Sequence, residues 1–270
     1  MSIRSENRGE SRKGLFVCVD GLDGIGKGEV ERAILSYEQR NGKAVFDSVS
    51  FQRASRKGLP ELADFWNPPE VYYDTVTTAE PTYSGIGHVI RFEMIKRNRR
   101  NYSAGSQIQA YGLDRLVQMK RVVVPALDNG LNVIQSRCCA ASLTYQHIAA
   151  IDEGKDPESV RKRILEHEGN VYQLDNAPDL LIIPTINDPA RLMERLRIRG
   201  KTAKEDNAIF EEVEFQQRLS ALYASDWVRE IFESRGTVIK YIDAGISEEE
   251  TRNQGRQAYI EFMESIRSSS

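Results

Sequence analysis

The stretch Gly21-Leu22-Asp23-Gly24-Ile25-Gly26-Lys27-Gly28 directly follows the run from Leu15 to Asp20, which is apolar up to its last residue. A buried strand that leads into a glycine-rich turn and then a helix is the arrangement that binds phosphate groups, because the backbone N–H groups and the positive end of the helix face the anion. Lys27 adds a cation for the β and γ phosphates of a nucleotide. The stretch therefore predicts an α/β fold with a nucleotide-phosphate site after its first strand.

The loop departs from the usual P-loop pattern at one position. That pattern ends in Gly-Lys-Ser/Thr because the hydroxyl ligates Mg²⁺, whereas Gly28 and Glu29 follow Lys27 here. Glycine-rich octets also occur as ordinary turns between a strand and a helix, but the amphipathic segment from Val30 to Tyr37 favours the phosphate site. We expect ATP to be bound by Gly21, Asp23, Gly24, Ile25, Gly26, Lys27, Gly28 and Glu29.

The composition predicts a cytoplasmic protein of one domain. At 270 residues, 40% of them hydrophobic, the chain can bury a sizeable core over 13–267, with 1–12 as a loose polar tail. A net charge of -3 argues against a general nucleic-acid-binding surface, and no apolar run is long enough to span a membrane. The three cysteines, Cys18 and the adjacent pair Cys138 and Cys139, do not suggest a disulfide framework.

Short β-rich runs alternate with longer helical patterns, which predicts a parallel sheet covered by helices on both faces. Strands are expected at 14–20, 43–50, 74–79, 131–135, 179–184 and 237–242. Helices are expected at 27–40, 84–98, 104–128, 141–152, 156–173, 188–199, 208–233 and 246–266. Residues 53–73 resemble an irregular excursion between two strands.

Charged and aromatic residues cluster in four further segments that a second, phosphate-bearing substrate would need. Because ligands of parallel sheets bind beyond the carboxyl ends of the strands, segments that follow the strands are expected to converge on the glycine loop. The four segments are 79–91, 111–115, 133–137 with the nearby Ser142, Tyr145 and Gln146, and 195–201.

In this order, the glycine loop and the four segments resemble the thymidylate kinase family, P-loop enzymes that transfer the γ-phosphoryl group of ATP to dTMP. The family's Glu-Pro-Thr-x-Ser-x-x-Gly-x-x-Ile-Arg pattern matches Glu80 to Arg91. Its aromatic-x-x-(Asp/Asn)-Arg pattern falls on Tyr111, Asp114 and Arg115, and its Asp-Arg-Tyr pattern falls on 136–138. The resemblance runs from about 14 to 223 and implies a three-layer sandwich, with a five-stranded parallel sheet, helices on both faces and a mobile lid.

The resemblance also implies roles for single residues. Tyr111 would stack on the thymine ring, Arg115 would hydrogen-bond a base carbonyl, and Arg137 would hold the acceptor phosphate, for which a guanidinium is well suited. Taken singly, each could instead be a core aromatic residue or a surface cation. The implied substrate-binding residues are Asp20, Glu80, Pro81, Tyr111, Arg115, Arg137, Ser142, Tyr145 and Gln146.

Three positions depart from the family's pattern, and two of them affect the metal. Ala79 stands where many members have arginine, Ser136 replaces an aspartate that helps to organise the acceptor phosphate and Mg²⁺, and Gly28 removes the P-loop hydroxyl. Asp20 is a candidate to orient metal-bound water or the acceptor, and otherwise a loop-capping aspartate. Mg²⁺ binds through few protein groups plus the phosphates, so its use can survive these losses.

The resemblance implies a mobile lid at about 195–208 that closes over ATP. Because Gly24 has no side chain, no arginine of the glycine loop can meet the transferring group, and lid cations are expected to do so. The catalytic cations would then be Lys27, Arg137, Arg199 and Lys201, with Lys204 beside them.

We therefore expect a cytoplasmic dTMP kinase that uses ATP and Mg²⁺ and binds neither nucleic acid nor membrane. Helices 84–98 and 104–128 would supply the homodimer face usual in the family. Two alternatives stay open: a kinase of another deoxynucleoside monophosphate, such as dUMP or a modified pyrimidine, and a catalytically weakened nucleotide-binding protein.

Overall fold

A six-stranded parallel sheet forms the centre of the molecule in the computed structural model, which describes residues 14–55, 57–96, 98–186, 192 and 213–269. The expected lid at about 195–208, with Arg199, Lys201 and Lys204, lies outside these residues, as do the expected tail and all of the expected helix 188–199 except Leu192. The strands are β1 (Phe16–Val19), β2 (Val45–Asp47), β3 (Trp66–Asn67), β4 (Val71–Tyr72), β5 (Thr75–Ala79), β6 (Asn132–Ser136), β7 (Leu180–Thr185) and β8 (Val238–Asp243).

The order of strands in the sheet is β2-β5-β6-β1-β7-β8, and each neighbouring pair is parallel. The parallel α/β fold is thus confirmed, but the sheet has six strands rather than five, because both edge segments pair along their length. At one edge β2 pairs with β5 from Val45 opposite Thr75 to Asp47 opposite Thr77. At the other, β8 pairs with β7 over six residues, from Val238 to Asp243.

The helices cover both faces of this sheet. They are α1 (Lys27–Arg40), α2 (Ser48–Ala54), α3 (Leu62–Phe65), α4 (Gly85–Val89), α5 (Ala104–Gln118), α6 (Val124–Asp128), α7 (Cys139–Ala141), α8 (His147–Asp152), α9 (Pro157–Leu165), α10 (Glu168–Asp175), α11 (Val213–Tyr223), α12 (Asp226–Glu233) and α13 (Glu248–Ser269). Three π-helical turns, Ile90–Met94, Met119–Val123 and Ser142–Gln146, extend α4, join α5 to α6 and join α7 to α8.

Several expected elements were wrong in extent, and local capping explains most of the differences. The strand expected at 43–50 ends at Asp47, because this side chain accepts a hydrogen bond from the Ser50 N–H and caps α2. The helix expected at 156–173 is two helices, with the His167 side chain capping the second. The helix expected at 208–233 is also divided, since Ser225 caps α12. Residues 53–73 contain α3 and the antiparallel pair β3-β4, so they are not wholly irregular.

The core lies on both sides of the sheet. Val17 and Val19 of β1 belong to a buried cluster with Val30 of α1 and Tyr259 of α13. The alternate residues of the same strand, Phe16 and Cys18, belong to a larger cluster on the other face that includes side chains of α5 to α8. All four residues of β1 are buried, as expected for a strand in the middle of a three-layer structure. In the described part of the chain, no helix has the length and apolar character needed to cross a membrane.

Candidate active site

The glycine loop turns sharply between β1 and α1. Gly21, Gly24 and Gly26 have φ angles of 142°, 73° and 103°, which L side chains rarely adopt, so glycine is required for this path. The Lys27 ammonium donates to the carbonyl oxygens of Gly21, at 3.0 Å, and of Leu22, at 2.6 Å. Lys27 therefore lies folded over the loop in which phosphates are expected to bind.

A lack of space at position 28 does not explain why the P-loop hydroxyl is missing. Gly28 is exposed at the start of α1, and a Cβ there would meet nothing nearer than the Arg32 guanidinium at 3.7 Å. The next residue, Glu29, forms ion pairs with Arg32 and with Arg252 of α13. The expected loop residue Glu29 thus has its charge balanced by protein groups, and Gly28 leaves room for a larger residue.

Arg137 lies at the mouth of the glycine loop, as the order of the strands requires. Its guanidinium forms an ion pair with Asp23, and the central carbon of the guanidinium lies 5.3 Å from the centre of the Tyr145 ring. Burial alone would raise the pKa of Asp23, but the charges of Arg137 and Lys27 lower it below its ordinary value. An anion that binds here competes with the Asp23 carboxylate for two cations.

Burial also affects Lys27. Removal from water, together with the positive charge of Arg137, lowers the pKa of Lys27 to about 8, and the negative charges of Asp23, Asp20 and Glu31 only partly oppose this. A lysine that is readily neutralised in the free protein gains from an added phosphate charge. The loop is therefore electrostatically prepared for an anion.

Asp20 has a different role from the one expected. It is fully buried, one carboxylate oxygen accepts from the Gly21 N–H at 2.7 Å and the Tyr223 hydroxyl at 2.9 Å, and the other accepts from the N–H groups of Cys138 and Ala141. These four donors and the Cys138 thiol, at 3.6 Å, enclose this carboxylate, so direct contact with a metal ion does not fit. Asp20 fastens the glycine loop to the segment that follows β6, which is the loop-capping alternative.

Arg115 also makes its hydrogen bonds within the protein. It is 1% exposed, and its five N–H groups donate to protein oxygens: two to a single carboxylate oxygen of Glu80, one to the Ser142 hydroxyl, one to Asn170 and one to the Cys138 carbonyl. This set is called the Arg115 cluster below. The expectation that Arg115 hydrogen-bonds a base carbonyl does not fit, since no donor is left for a ligand.

Glu80 has its second oxygen satisfied as well. This oxygen accepts from the side-chain amides of Gln135 and Gln173, both at 2.9 Å, and Glu80 is 3% exposed. Glu80 and Pro81 were expected to contact the substrate, but both are buried. Glu80 therefore acts in the framework of the site and joins β6, α5 and α10 beneath it.

Tyr111 lies one helical turn before Arg115 and is only partly buried. Burial raises its pKa to about 12, against the opposing charges of Arg137 and Arg91. Asp114 holds the neighbouring loop, because its carboxylate accepts from the Thr82 N–H at 2.7 Å and from the Thr82 hydroxyl at 2.6 Å. Tyr111 thus presents an aromatic ring near two arginines, in surroundings that suit a planar base beside a phosphate.

Three expected pocket residues lie on the π-helical turn after α7. Ser142, Tyr145 and Gln146 are all buried, and Ser142 is occupied by Arg115. In the part of the chain that the structure describes, the side-chain oxygen of Gln146 is buried without a hydrogen-bond partner. Tyr145 lies beside Asp23 and Arg137 at the phosphate end, so Tyr145 and Ser142 contact different parts of the site.

The sequence did not single out Tyr83, whose ring lies between two guanidinium groups. The central guanidinium carbon of Arg53 is 4.0 Å from the centre of the ring, and that of Arg91 is 3.9 Å from it. The side chain of Gln52 accepts from the Tyr83 N–H at 2.7 Å. Helix α2 thus contributes one cation, Arg53, beside Tyr83, and only the tertiary contact reveals this.

Glu31 was also missed. It lies on α1 one turn after Lys27, and one of its carboxylate oxygens is buried and has no hydrogen-bond partner within the described part of the chain. Burial raises its pKa to about 7, although the Ser136 hydroxyl and the charges of Lys27 and Arg137 oppose this. The described residues contain no group of three or more His, Cys, Asp or Glu that could hold a metal ion. A single unpartnered carboxylate oxygen beside the phosphate loop nonetheless fits Mg²⁺, which needs few protein ligands when phosphates are present.

A parallel sheet with a glycine loop after β1, a lysine at the start of α1 and an arginine after the adjacent strand defines a P-loop nucleotide kinase. A family model described as thymidylate kinase matches residues 68–254, more than half of the chain. The chain belongs to the thymidylate kinase family. The matched span begins after the glycine loop, so that loop is identified by its own geometry.

Curated relatives agree with the family. The chain is 29% identical to a thymidylate kinase of Desulforapulum autotrophicum over 155 aligned residues. This alignment covers 56% of this chain and 64% of that protein. It is 25% identical to a thymidylate kinase of Caldicellulosiruptor saccharolyticus over 74% of this chain and 77% of that one. A thymidylate kinase of Cereibacter sphaeroides is 22% identical over 93% and 96% of the two chains.

A solved structure shares the fold. The thymidylate kinase from Candida albicans superposes with a TM-score of 0.59 and 14% identity over 96% of this chain and 95% of that chain. At this identity the likeness supports the architecture alone.

Proposed function

We propose that this protein is a thymidylate kinase, which transfers the γ-phosphoryl group of ATP to dTMP and gives ADP and dTDP. The observation that carries the proposal is the position of Arg137. Val19 and Ser136 are register partners on adjacent strands, so the residue after Ser136 meets the glycine loop and pairs with Asp23. A cation suited to an acceptor phosphate thus lies beside Lys27, which is suited to ATP.

In the reaction, Lys27 exchanges its two loop carbonyls for the β and γ phosphates of ATP. Arg137 exchanges Asp23 for the acceptor phosphate, and Asp23 serves to hold it in place until the phosphate arrives. Phosphoryl transfer depends on positioning and charge neutralisation, which these two cations provide. Mg²⁺, when bound, would supply further neutralisation of the phosphate charge. By family resemblance, Arg199 and Lys201 of the lid add the remaining positive charge.

The acceptor base is proposed to stack on Tyr111, with Tyr83, Arg53 and Arg91 bordering the pocket. A second candidate, a kinase of another deoxynucleoside monophosphate, is favoured by one observation. Because all five donors of Arg115 are used within the protein, the base edge must be recognised by a group other than Arg115. The preference between dTMP and dUMP or a modified pyrimidine then depends on the rest of the pocket.

A coupled ADP-release assay tests the proposal. The protein would be supplied with ATP, with and without Mg²⁺, and with dTMP, dUMP, dCMP, dGMP or dAMP as acceptor. We expect Mg²⁺-dependent turnover that is fastest with dTMP. Faster turnover with another pyrimidine selects the second candidate, and tight ATP binding without turnover on any acceptor shows a nucleotide-binding protein that has lost catalysis.

Tyr111→Ala and Tyr111→Phe test the base pocket by calorimetry. Removing the ring should cost about 1–3 kcal/mol of dTMP binding, whereas phenylalanine keeps the stacking face and should bind like the parent. ATP affinity should not change in either variant. Unchanged dTMP affinity of the alanine variant by calorimetry rules out stacking on Tyr111.

A homodimer and a cytoplasmic location belong to the same proposal. Helix α4, the π-helical turn that extends it and helix α5 expose four large apolar side chains, namely Val89, Phe92, Leu113 and Val117, each 39% to 49% exposed. Val89 and Phe92 are three residues apart and Leu113 and Val117 are four apart, so each pair shares one face of its helix. We call these four side chains the exposed patch and propose that a second copy covers it. The three cysteines are buried thiols that are not joined in a disulfide, which suits a reducing compartment.

A further inference from the structure

Glu31 has no role in the steps above, yet it lies inside the phosphate site. It is on the same face of α1 as Lys27, one turn further along, and its carboxylate faces the Ser136 hydroxyl at the end of β6. One carboxylate oxygen is shut off from solvent and has no hydrogen-bond partner among the residues that the structure describes. It is thus an acidic group aimed at the place where the loops after β1 and β6 meet.

Such a carboxylate is costly without a positive partner. An ionised group that is removed from water is stable only when it is paired or hydrogen-bonded. The neighbouring acid on the same helix shows the ordinary solution, because Glu29 is paired with Arg32 and Arg252 at the surface. Glu31 instead has an unpartnered oxygen, and the raised pKa agrees that its charge is incompletely balanced in the free protein.

The position of Glu31 matches a loss elsewhere in the site. Ser136, opposite Val19 in the register of β6 and β1, stands where the resemblance implies an aspartate that organises Mg²⁺. Gly28 has also removed the P-loop hydroxyl. The end of β6 therefore lacks a carboxylate, and the helix directly beside it supplies one.

We propose that Glu31, supported by the Ser136 hydroxyl, provides the carboxylate for the Mg²⁺ that accompanies ATP, in place of an aspartate on the strand. The inference rests on the proposed use of ATP and Mg²⁺. Carboxylate oxygen is a preferred Mg²⁺ ligand, directly or through the water that this ion retains. Bound Mg²⁺ would balance the charge of Glu31, so the cost of burying it is removed when the nucleotide binds. Glu31 is a positioning residue for the metal rather than a group that touches the transferring phosphoryl.

Metal binding, rather than turnover, is the direct test. Calorimetry would measure ATP affinity as a function of Mg²⁺, and electron paramagnetic resonance would count Mn²⁺ bound to the protein with ATP. Glu31→Gln should weaken metal binding in the ATP complex about tenfold or more, the usual effect of losing a group that orients a metal site. ATP affinity without metal should be unchanged or higher, because one negative charge near the phosphates is gone.

Moving the carboxylate from Glu31 to position 136 tests whether metal binding depends on this acid. Ser136→Asp in the Glu31→Gln background should restore Mn²⁺ binding, because it returns the acid to the strand. Glu158→Gln, an exposed change on α9 with the same loss of charge, is the control and should leave metal binding as in the parent. Glu31→Asp keeps the charge and provides a second folded variant that should retain most of the Mn²⁺ affinity.

Two results would overturn the inference. One is a Glu31→Gln variant with the parent's Mg²⁺ dependence. The other is an equal loss of ATP affinity with and without metal, which would show a structural effect on the loop. A Glu31-dependent Mn²⁺ site in a protein that does not phosphorylate dTMP would keep the inference and reject the proposed substrate.

Discussion

At the scale of single residues, Arg115 shows how the neighbours of a side chain determine its role. The local spacing from Tyr111 suggests a pair that faces one ligand. The fold instead gives Arg115 a buried carboxylate at 2.6 Å and places it among oxygens of three other segments. A guanidinium that donates five hydrogen bonds is held rigidly, so it orients Glu80 and Ser142 and fixes the helix from which Tyr111 projects.

Replacing Arg115 should therefore affect stability before substrate recognition. Arg115→Ala leaves the Glu80 charge buried without its partner, and we expect a loss of about 3–5 kcal/mol in the free energy of unfolding. Arg115→Met combined with Glu80→Gln removes both charges and should recover part of this loss. Urea unfolding measures the difference. A stable Arg115→Ala variant that binds ATP but no dTMP would instead support the hypothesis that Arg115 contacts the base directly.

Lys27 gives a prediction about protons. Its pKa of about 8 in the free protein means that about half of the molecules carry a neutral Lys27 at pH 8. ATP phosphates favour the charged form, so binding at pH 8 should take up as much as about half a proton, and binding at pH 6.5 almost none. Calorimetry in two buffers of different ionisation enthalpy measures the uptake.

Lys27→Met is the control for this measurement, since it should abolish the uptake at pH 8. The sign for stability follows from the same shift. Because the folded pKa lies below that of the unfolded chain, the unfolded state binds more protons between about pH 8 and 10.4, and this residue makes the fold more stable as the pH rises through that range. Equal uptake at both pH values would contradict the assignment to Lys27.

At the scale of elements, the crossing of α5 and α10 positions the Arg115 cluster. A Cβ on Gly169 would overlap the carbonyl oxygen of Gly112, so the two helices approach at their backbones. This contact brings Asn170 to Arg115 and, one turn later, Gln173 to Glu80. The glycines are thus required by the distance between helices, although glycine is a poor helix former.

Gly169→Ala should consequently destabilise the protein by at least about 2 kcal/mol, since the helices must move apart. Helix propensity alone predicts the opposite sign, a gain of up to about 1 kcal/mol. Gly105→Ala in the first turn of α5 is the matched control, because its Cβ would meet only the end of the flexible Arg163 side chain at 3.0 Å. Thermal unfolding compares the two, and equal melting temperatures would show that the crossing can relax.

At the scale of the whole molecule, the proposed dimer depends on the exposed patch formed by Val89, Phe92, Leu113 and Val117. If two copies meet there, a charge placed in the patch should separate them. Leu113→Glu should convert the dimer to a monomer in sedimentation velocity, because an unpaired carboxylate would be buried in the interface.

Ile246→Glu is the control for the dimer, since Ile246 is 65% exposed and lies just before α13. It should leave the sedimentation coefficient unchanged. A parent that sediments as a monomer at micromolar concentration would contradict the dimer, and a Leu113→Glu variant that stays dimeric would place the interface on another surface.

The sequence by itself determined the features that depend on neighbours along the chain. The glycine loop after β1 and the alternation of strands and helices follow from local patterns, whereas the meeting of Arg137 with that loop also needs β1 and β6 to be neighbours in the sheet. Adjacent parallel strands end at the same edge of a sheet, so the register of Val19 with Ser136 realises what the two motifs imply.

Only the tertiary structure decided which of the polar residues act on one another. Arg115 and Glu80 are 35 positions apart and Asp20 and Tyr223 are 203 apart, and neither pair has a local signature. Whether a carboxylate is enclosed by donors, like Asp20, or retains an unpartnered oxygen, like Glu31, depends on every segment packed around it. The edges of the sheet depend likewise on pairing across the chain. The physical reason is that burial and hydrogen-bond satisfaction are properties of a packed environment, whereas periodicity and turn chemistry act within a few residues.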